Sequence, residues 1–204
     1  MSDRIVVGIS GSTGIVYAVE LLKMFRANNI ESHVVMSRAA RLTLAHESDL
    51  TVDDVADLAH TMYAPNDIGA AIASGSFITR GMVVAPCSVK TVAQIAMGNS
   101  DSLLPRAADV ALKERRRLVL MVRETPLSLI HLRNMVAVTE AGAIVAPPMP
   151  AFYTRPESID DIVRHSVNRV LDLLGIADNE YSSRWDGQMT TRRKREPAAP
   201  AQPA

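Results

Sequence analysis

The segment Gly8-Ile9-Ser10-Gly11-Ser12-Thr13-Gly14 joins a β-branched run to a helical pattern and gathers glycines and hydroxyls into one turn. Backbone N–H groups at such a turn, with the positive end of the following helix, can hold a phosphate. The glycines fall three apart, which matches neither the dinucleotide G-x-G-x-x-G nor the Walker G-x-x-x-x-G-K-[ST] spacing, nor a G-x-S-x-G nucleophile elbow. NAD and ATP are therefore weakly supported, and a tight βα turn without a ligand stays open.

A second strand-to-helix junction, Pro86-Cys87-Ser88-Val89-Lys90-Thr91, offers hydroxyls, N–H groups and a cation, a set suited to an isoalloxazine edge or a ribityl phosphate. Cys87 has no histidine near it in sequence, so simple packing competes with a nucleophilic role. Lys90 has the alternative of an ordinary exposed helix residue. At a third junction, Arg123-Glu124-Thr125-Pro126 sets a guanidinium beside a carboxylate. The apolar run Leu118 to Val122 before it leads us to expect partial burial, where the fork binds phosphate and the carboxylate orients it or moves a proton. Downstream, Phe152-Tyr153-Thr154-Arg155-Pro156 lies on a stiff loop and Arg169 on the last helical pattern, with a solvated face as its alternative.

Metal chemistry is not expected. His33, His46, His60, His131 and His165 show no H-x-x-x-H spacing, and Cys87 is the single cysteine. The basic runs Arg115-Arg116-Arg117 and Arg192-Arg193-Lys194-Arg195 lack interleaved aromatics, so they read as solvated charge and not as nucleic-acid contacts.

These residues need a scaffold, and the chain alternates short β-branched runs with helical patterns, with Gly, Ser, Thr or Pro at each change. The first strand is read over Arg4 to Ser10, and a helix from about Gly14 to Ala27 keeps its period through Val16, Val19, Leu22, Met24 and Phe25. Ser32 to Met36 reads as a strand, and Thr51-Val52-Asp53-Asp54 opens a helix to about Ala59 with a capping-box pattern. Gly81 to Pro86 and Leu118 to Val122 have the continuous apolar character of strands covered on both faces, and Ser88 can cap the helix after the first of them. Another helix ends in Lys113-Glu114-Arg115-Arg116-Arg117. Thr125 and Pro126 predict an N-cap followed by proline at the first helical position, with Gly142 closing that helix. Ala143 to Ala146 is strand-like, Pro147-Pro148-Met149-Pro150 is stiff, and a final helix runs from Ser158, with Asp161 three residues on, to Gly175.

Strands separated by helices imply a mostly parallel sheet with right-handed crossovers, an α/β doubly wound three-layer sandwich. Ligands in such folds bind beyond the carboxyl ends of the strands. Gly11-Ser12-Thr13, Ser37, Ser88 to Thr91 and Arg123 each directly follow a predicted strand, so four loops are expected to converge on one crevice.

A chain of 204 residues suits one domain. Its 22 Lys and Arg balance 22 Asp and Glu, so no net field draws it to nucleic acid or an anionic membrane. The lone cysteine fits a reducing compartment, and no apolar stretch approaches the roughly 18 residues of a membrane span, so a cytoplasmic location is expected. We place the domain at 1–188 and expect the basic, then Pro/Ala-rich, residues 189–204 to be a disordered tail.

The G-S-T-G turn, V-V-M-S-R-A-A (Val34 to Ala40), S-G-S-F (Ser74 to Phe77), A-P-C-S-V-K-T, R-A-A-D-V-x-L-K-E-R-R, V-R-E-T-P-L and P-P-M-P-A-F-Y-x-R-P occur in that order. Over roughly residues 4 to 187 the chain resembles the UbiX/Pad1 family of flavin prenyltransferases, and most of all the branch paired with hydroxyaryl-acid decarboxylases. The resemblance implies a Rossmann-like, flavodoxin-type subunit in a homododecamer of trimers, with FMN held at subunit interfaces. It implies metal-independent transfer of a dimethylallyl group from dimethylallyl monophosphate to N5 and then C6 of reduced FMN. The prenylated FMN would serve a partner UbiD-type aromatic-acid decarboxylase.

By the same resemblance, Gly11, Ser12, Thr13, Ser37, Ser88, Val89, Lys90, Thr91 and Arg123 are FMN contacts. Arg106, Lys113, Tyr153 and Arg169 bind the prenyl phosphate, while Thr13, Glu47, Glu124 and Lys113 are catalytic. Thr13 stands where many relatives carry serine, which keeps the hydroxyl and adds a methyl. Breaking an allylic C–O bond asks for cations around the departing phosphate and a dry, π-rich cavity. The lysine, arginines and Tyr153 supply the first, and the flavin face with Trp185 part of the second. In a chain with 4% aromatic residues, the late group of Phe152, Tyr153 and Trp185 stands out, with core packing as its alternative.

Two other readings remain open. A flavin-dependent peptidyl-cysteine-type decarboxylase relies on a catalytic histidine and a different N-terminal cofactor motif, neither of which is found here. A non-catalytic FMN carrier or regulatory subunit would need no combination of Lys113, Tyr153 and Arg169.

Overall fold

The computed structural model describes residues 3–176; Trp185, the boundary at 188, the run Arg192-Arg193-Lys194-Arg195 and the tail 189–204 lie outside the described residues. Six parallel strands make one sheet in the order β3-β2-β1-β4-β5-β6. They are β1 (Arg4–Ile9), β2 (Glu31–Met36), β3 (Thr61–Tyr63), β4 (Gly81–Cys87), β5 (Arg117–Val122) and β6 (Ile144–Val145). The helices are α1 (Ile15–Ala27), α2 (Arg38–Glu47), α3 (Val52–Leu58), α4 (Val89–Ala96), α5 (Leu103–Lys113), α6 (Leu129–Glu140) and α7 (Ile159–Leu173). Strand order reverses between β1 and β4, which puts the ligand crevice of a doubly wound sheet beyond their carboxyl ends.

Three layers follow from the two-residue period of the strands. Ile5, Val7 and Ile9 of β1, Val83 and Ala85 of β4, and Val119 and Met121 of β5 pack with α1, α3 and α7 on one face. Val6, Met82, Val84, Leu118, Leu120 and Val122 face α4, α5 and α6 on the other. Strands buried on both sides read as continuous apolar runs, which is why β1, β4 and β5 are visible in the sequence. The register of β4 against β5 shifts between Val84 and Cys87, at the proline, so Cys87 joins the face of Val84. There burial pushes its thiol far up, and it serves as packing. Gly8 lacks the Cβ that would press on Met82 and Leu104, and so lets α5 lie close to the sheet.

Local caps hold where expected at Thr51, Ser88 and Ser158, each accepting from a backbone N–H in the first turn of its helix. Three features depart from the sequence reading. The helix expected to begin at Thr125-Pro126 begins after Ser128, whose hydroxyl accepts from the His131 N–H while His131 Nδ1 accepts from the Ser128 N–H. The cap is thus set three residues later than Thr125, whose own N–H is bound by the Glu124 carboxylate. Helix α2 and strand β3 were not anticipated. Only Ala40 and Leu44 of α2 are buried, which leaves little apolar period to read, and β3 is three residues long. Among the described residues no helix is long and apolar enough to cross a membrane.

Candidate functional site

Loops after β1, β2, β4 and β5 meet at the carboxyl edge of the sheet, as the strand positions require. Ser10, almost fully buried, ties the first and third of them together: its hydroxyl donates to the Pro86 carbonyl at 3.0 Å and accepts from the Ser88 N–H at 2.7 Å. A cleft of about 830 Å³ opens beside this stitch. Gly11, Ser37, Ser88, Val89, Lys90, Thr91 and Glu124 line it, together with Arg38, Arg41 and the start of α5. Gly11 cannot carry a side chain here, because an added Cβ would overlap Ala39 on α2. The backbone of the first loop therefore lies flat against α2 and faces the cleft directly. Ser37 and Ser88 are the N-caps of α2 and α4, so two helix N-termini open on the same space. Ser88 and Thr91 hydroxyls sit 3.1 Å apart, with Thr91 buried.

The other half of the glycine turn does something the sequence did not show. The Glu47 carboxylate, at the end of α2, accepts from the Gly14 N–H at 2.9 Å and the Ile15 N–H at 3.0 Å. The start of α1, expected to hold a phosphate, already holds an anion of the chain itself. The Ser12 N–H is also engaged, by the Ser10 carbonyl. Burial pushes the Glu47 carboxyl up, but hydrogen bonds from the Thr13 hydroxyl and the two N–H groups, with the Arg123 charge nearby, outweigh it and hold the group below the ordinary carboxylate range. The Ser12 hydroxyl donates to the Arg123 carbonyl at 2.6 Å. Ser12, Thr13, Glu47 and Arg123 thus form a knot at the rim of the cleft. Arg123 and Glu124 are exposed and not partly buried as expected, since β5 ends at Val122 and the chain turns outward.

Arg106, Lys113, Tyr153 and Arg169 lie elsewhere in the chain. Helix α5 starts at the cleft and runs back along the sheet for about 16 Å, ending at Lys113, which pairs with Glu114 beside Gly75 at the opposite edge. Arg106 is held to the Ala73 carbonyl and to Asp109. Arg169 is two-thirds exposed on α7, 3.8 Å from Asp172. The end of α7 is tied to Arg117 at the start of β5, again the far edge of the sheet. Tyr153 is exposed and sits on a short turn, Phe152–Thr154, against α7. The structure therefore gathers the expected FMN contacts on one side and leaves Lys113, Tyr153 and Arg169 on outward surfaces, with Arg106 half-buried on α5. Helix α6 is a further outward surface: Leu129, Ile130, Leu132 and Val136 are exposed and Val138 alone is buried.

Arg38 and Arg41 were not singled out from the sequence. Once α2 is recognised they lie three residues apart on one helix face, and both line the cleft with Lys90. The signal was the motif V-V-M-S-R-A-A, in which Ser37 alone was singled out.

A doubly wound sheet with a hydroxyl- and cation-lined cleft at its switch point defines a flavoprotein-type cofactor binder, and the flavoprotein family model matches residues 1–171. The flavin prenyltransferase UbiX of Neisseria meningitidis is 52% identical over 187 residues, covering 92% of this chain and 98% of that protein. The crystal structure of AnUbiX (PadA1) in complex with FMN and dimethylallyl pyrophosphate superposes with a TM-score of 0.89 at 49% identity, covering 91% of this chain and 98% of that one. A dodecameric FMN-dependent UbiX-like decarboxylase from Escherichia coli O157:H7 gives a TM-score of 0.87 at 50% identity, covering 90% of this chain and 100% of that one. The chain belongs to the UbiX family of flavin prenyltransferases.

Proposed function

We propose that this chain joins the dimethylallyl group of dimethylallyl monophosphate to N5 and C6 of reduced FMN, without a metal, in the cytoplasm. The product, prenylated FMN, goes to a UbiD-type aromatic-acid decarboxylase. The observation that carries the reading is the cleft at the strand reversal, whose volume lies in the range of cofactor pockets and whose wall is hydroxyl, N–H and cation. It fits FMN. Gly11 leaves backbone exposed to a flat ring, Ser37, Ser88 and Thr91 offer hydroxyls, and Arg38, Arg41 and Lys90 balance a phosphate. When bound, reduced FMN supplies the electron-rich positions that take the allyl carbon.

The remaining roles belong to side chains of the protein. Glu47, kept ionised and fixed on α1, orients the Thr13 hydroxyl. Glu124, on the cleft wall, holds or moves a proton beside the ring. Lys113, Arg106, Tyr153 and Arg169 stabilise the charge that develops on the departing phosphate. Because Lys113, Tyr153 and Arg169 are exposed on one chain, they act on the cleft of a neighbouring copy, which ties activity to a homo-oligomer, and the dodecameric relative supports twelve subunits.

The test is mass spectrometry of the flavin after anaerobic incubation with reduced FMN and dimethylallyl monophosphate. The expected result is FMN heavier by one prenyl unit. Recovery of unmodified FMN, with tight binding intact, would instead mark a flavin carrier.

A further inference from the structure

We propose that Ser12 is a positioning residue for prenyl transfer, one that sets the place of the Glu124 carboxylate on the cleft wall. The inference rests on the proposed proton-handling role of Glu124. The Ser12 hydroxyl donates to the Arg123 carbonyl at 2.6 Å, joining the loop after β1 to the loop after β5. That carbonyl belongs to the planar peptide unit ending at the Glu124 Cα, so a bond that fixes the oxygen also fixes the root of the Glu124 side chain. Arg123 is held from its other side as well, where its N–H donates to the Cys87 carbonyl at 3.0 Å. The Glu124 carboxylate in turn accepts from the Thr125 N–H at 3.0 Å. A run of contacts thus leads from Ser12 to an acid that lines the cleft. Strand β5 ends at Val122, and Arg123, Glu124 and Thr125 are exposed, so little packing holds this stretch and hydrogen bonds set its position.

The next residue makes the counterpart contact. The Thr13 hydroxyl bonds the Glu47 carboxylate, which also accepts from the Gly14 and Ile15 N–H groups. Consecutive Cα atoms lie about 3.8 Å apart, so one dipeptide ties both acids to a single turn and fixes their spacing. Ser12 is not spent on the flavin. Its N–H donates to the Ser10 carbonyl at 2.9 Å, its hydroxyl hydrogen goes to Arg123, and Gly11 is the residue of the turn that lines the cleft. A proton-transfer group works only within hydrogen-bond reach of its target, and a misplacement of about 1 Å can cost on the order of a hundredfold in rate. Untying Ser12 therefore slows the chemistry and leaves the binding of both substrates alone.

The experiment uses the full-length protein and follows prenylated FMN by mass against dimethylallyl monophosphate concentration. We expect Ser12→Ala to lower kcat about 5- to 20-fold while KM for the prenyl donor, FMN affinity and melting temperature hold. Ser12→Thr, which keeps the hydroxyl, should retain most of the wild-type kcat. In a Glu124→Gln background, adding Ser12→Ala should lower the residual rate by less than about twofold, because the group it positions is already gone. An unchanged kcat in Ser12→Ala, a Ser12→Thr protein as slow as Ser12→Ala, or the same fold-loss in both backgrounds would overturn the proposal while leaving the prenyltransferase reading intact. So would FMN binding that weakens in step with the rate, which would make Ser12 a flavin contact. A wild-type protein that forms no prenylated FMN would overturn both.

Discussion

The carboxyl edge of the sheet and the outer surfaces of α5, α6 and α7 are built on opposite plans. At the sheet edge, loop groups find partners within the chain: Ser10 bridges two loops, Glu47 closes the start of α1, and Ser12 is bonded to the Arg123 carbonyl after β5. On the outer surfaces, Tyr153 and Arg169 are largely exposed, and α6 shows Leu129, Ile130, Leu132 and Val136 to solvent. An edge organised within one chain can receive a flat cofactor without rearrangement. Exposed apolar helix faces beside unburied cations are what a subunit looks like before its neighbours are added. The contrast divides the proposed reaction between chains: one supplies the flavin cleft, others supply the cations for the phosphate.

The most damaging way to break that division is to place a charge on the apolar face of α6. Ile130→Asp should abolish the large assembly, read by light scattering, and with it prenyl transfer, while FMN binding survives in weakened form. Full activity in a monomeric Ile130→Asp protein would mean that one chain suffices.

Gly11→Ala strikes the flavin side instead. The added methyl has no room against Ala39, so the first loop or α2 must shift, at a cost of about 1–3 kcal/mol. Thermal denaturation should show the loss, and FMN titration a weaker cleft. An unchanged melting temperature would show that the loop and α2 are not in close contact.

Glu47→Gln sharpens the comparison more gently. Removing an anion from the start of α1 should cost on the order of 0.3–1 kcal/mol. Glu47 is held below its ordinary value, so its contribution is present above the unfolded-state pKa near 4.3 and is lost as pH falls through the lower folded value. The stability gap between wild type and Glu47→Gln should therefore close in acid, and a gap constant down to pH 3 would contradict the role.

The smallest effect concerns His33 on β2, which touches neither region. It is enclosed by Tyr63, Phe77 and His60, and burial followed by the neighbouring His60 lowers its pKa against the opposing pull of Glu31. The unfolded chain then takes up a proton more readily than the folded one, so stability falls as pH drops below about 6.5, until the folded value is passed. His33→Gln should flatten that slope in denaturant titrations taken between pH 7 and pH 5. A slope unchanged by the substitution would place its origin elsewhere.

Sequence carries the sheet edge well and the outer surfaces poorly, for physical reasons. Strands buried on both faces write themselves as apolar runs, and hydroxyls directly after them must fall at the carboxyl edge, so Gly11, Ser37 and Ser88 to Thr91 were placeable. Glu47 was not readable as the partner of α1, because 33 residues separate it from Gly14 and α2 has too few buried side chains to announce itself. Arg38 and Arg41 were hidden by the same missing helix. Thr125 misled because a hydroxyl before a proline is a common cap, and only the structure shows that Ser128, three residues on, caps the helix instead. Lys113, Tyr153 and Arg169 came by resemblance alone, since no spacing within one chain brings them to the cleft.

The division of the site between chains is tested most directly by mixing two inactive variants. Glu124→Ala removes a group on the cleft wall and Arg169→Ala one on the outer face of α7, where loss of a phosphate partner should lower kcat/KM on the order of 30-fold or more. Each variant alone, as a homo-oligomer, should be nearly inactive in prenyl transfer, and Arg169→Ala should still bind FMN. Co-assembled in equal amounts, they should regain about a quarter of wild-type activity, since at random a quarter of the sites draw an intact cleft from one chain and an intact arginine from another. Mixed assemblies no more active than the separate variants would show that both residues serve a site within one chain.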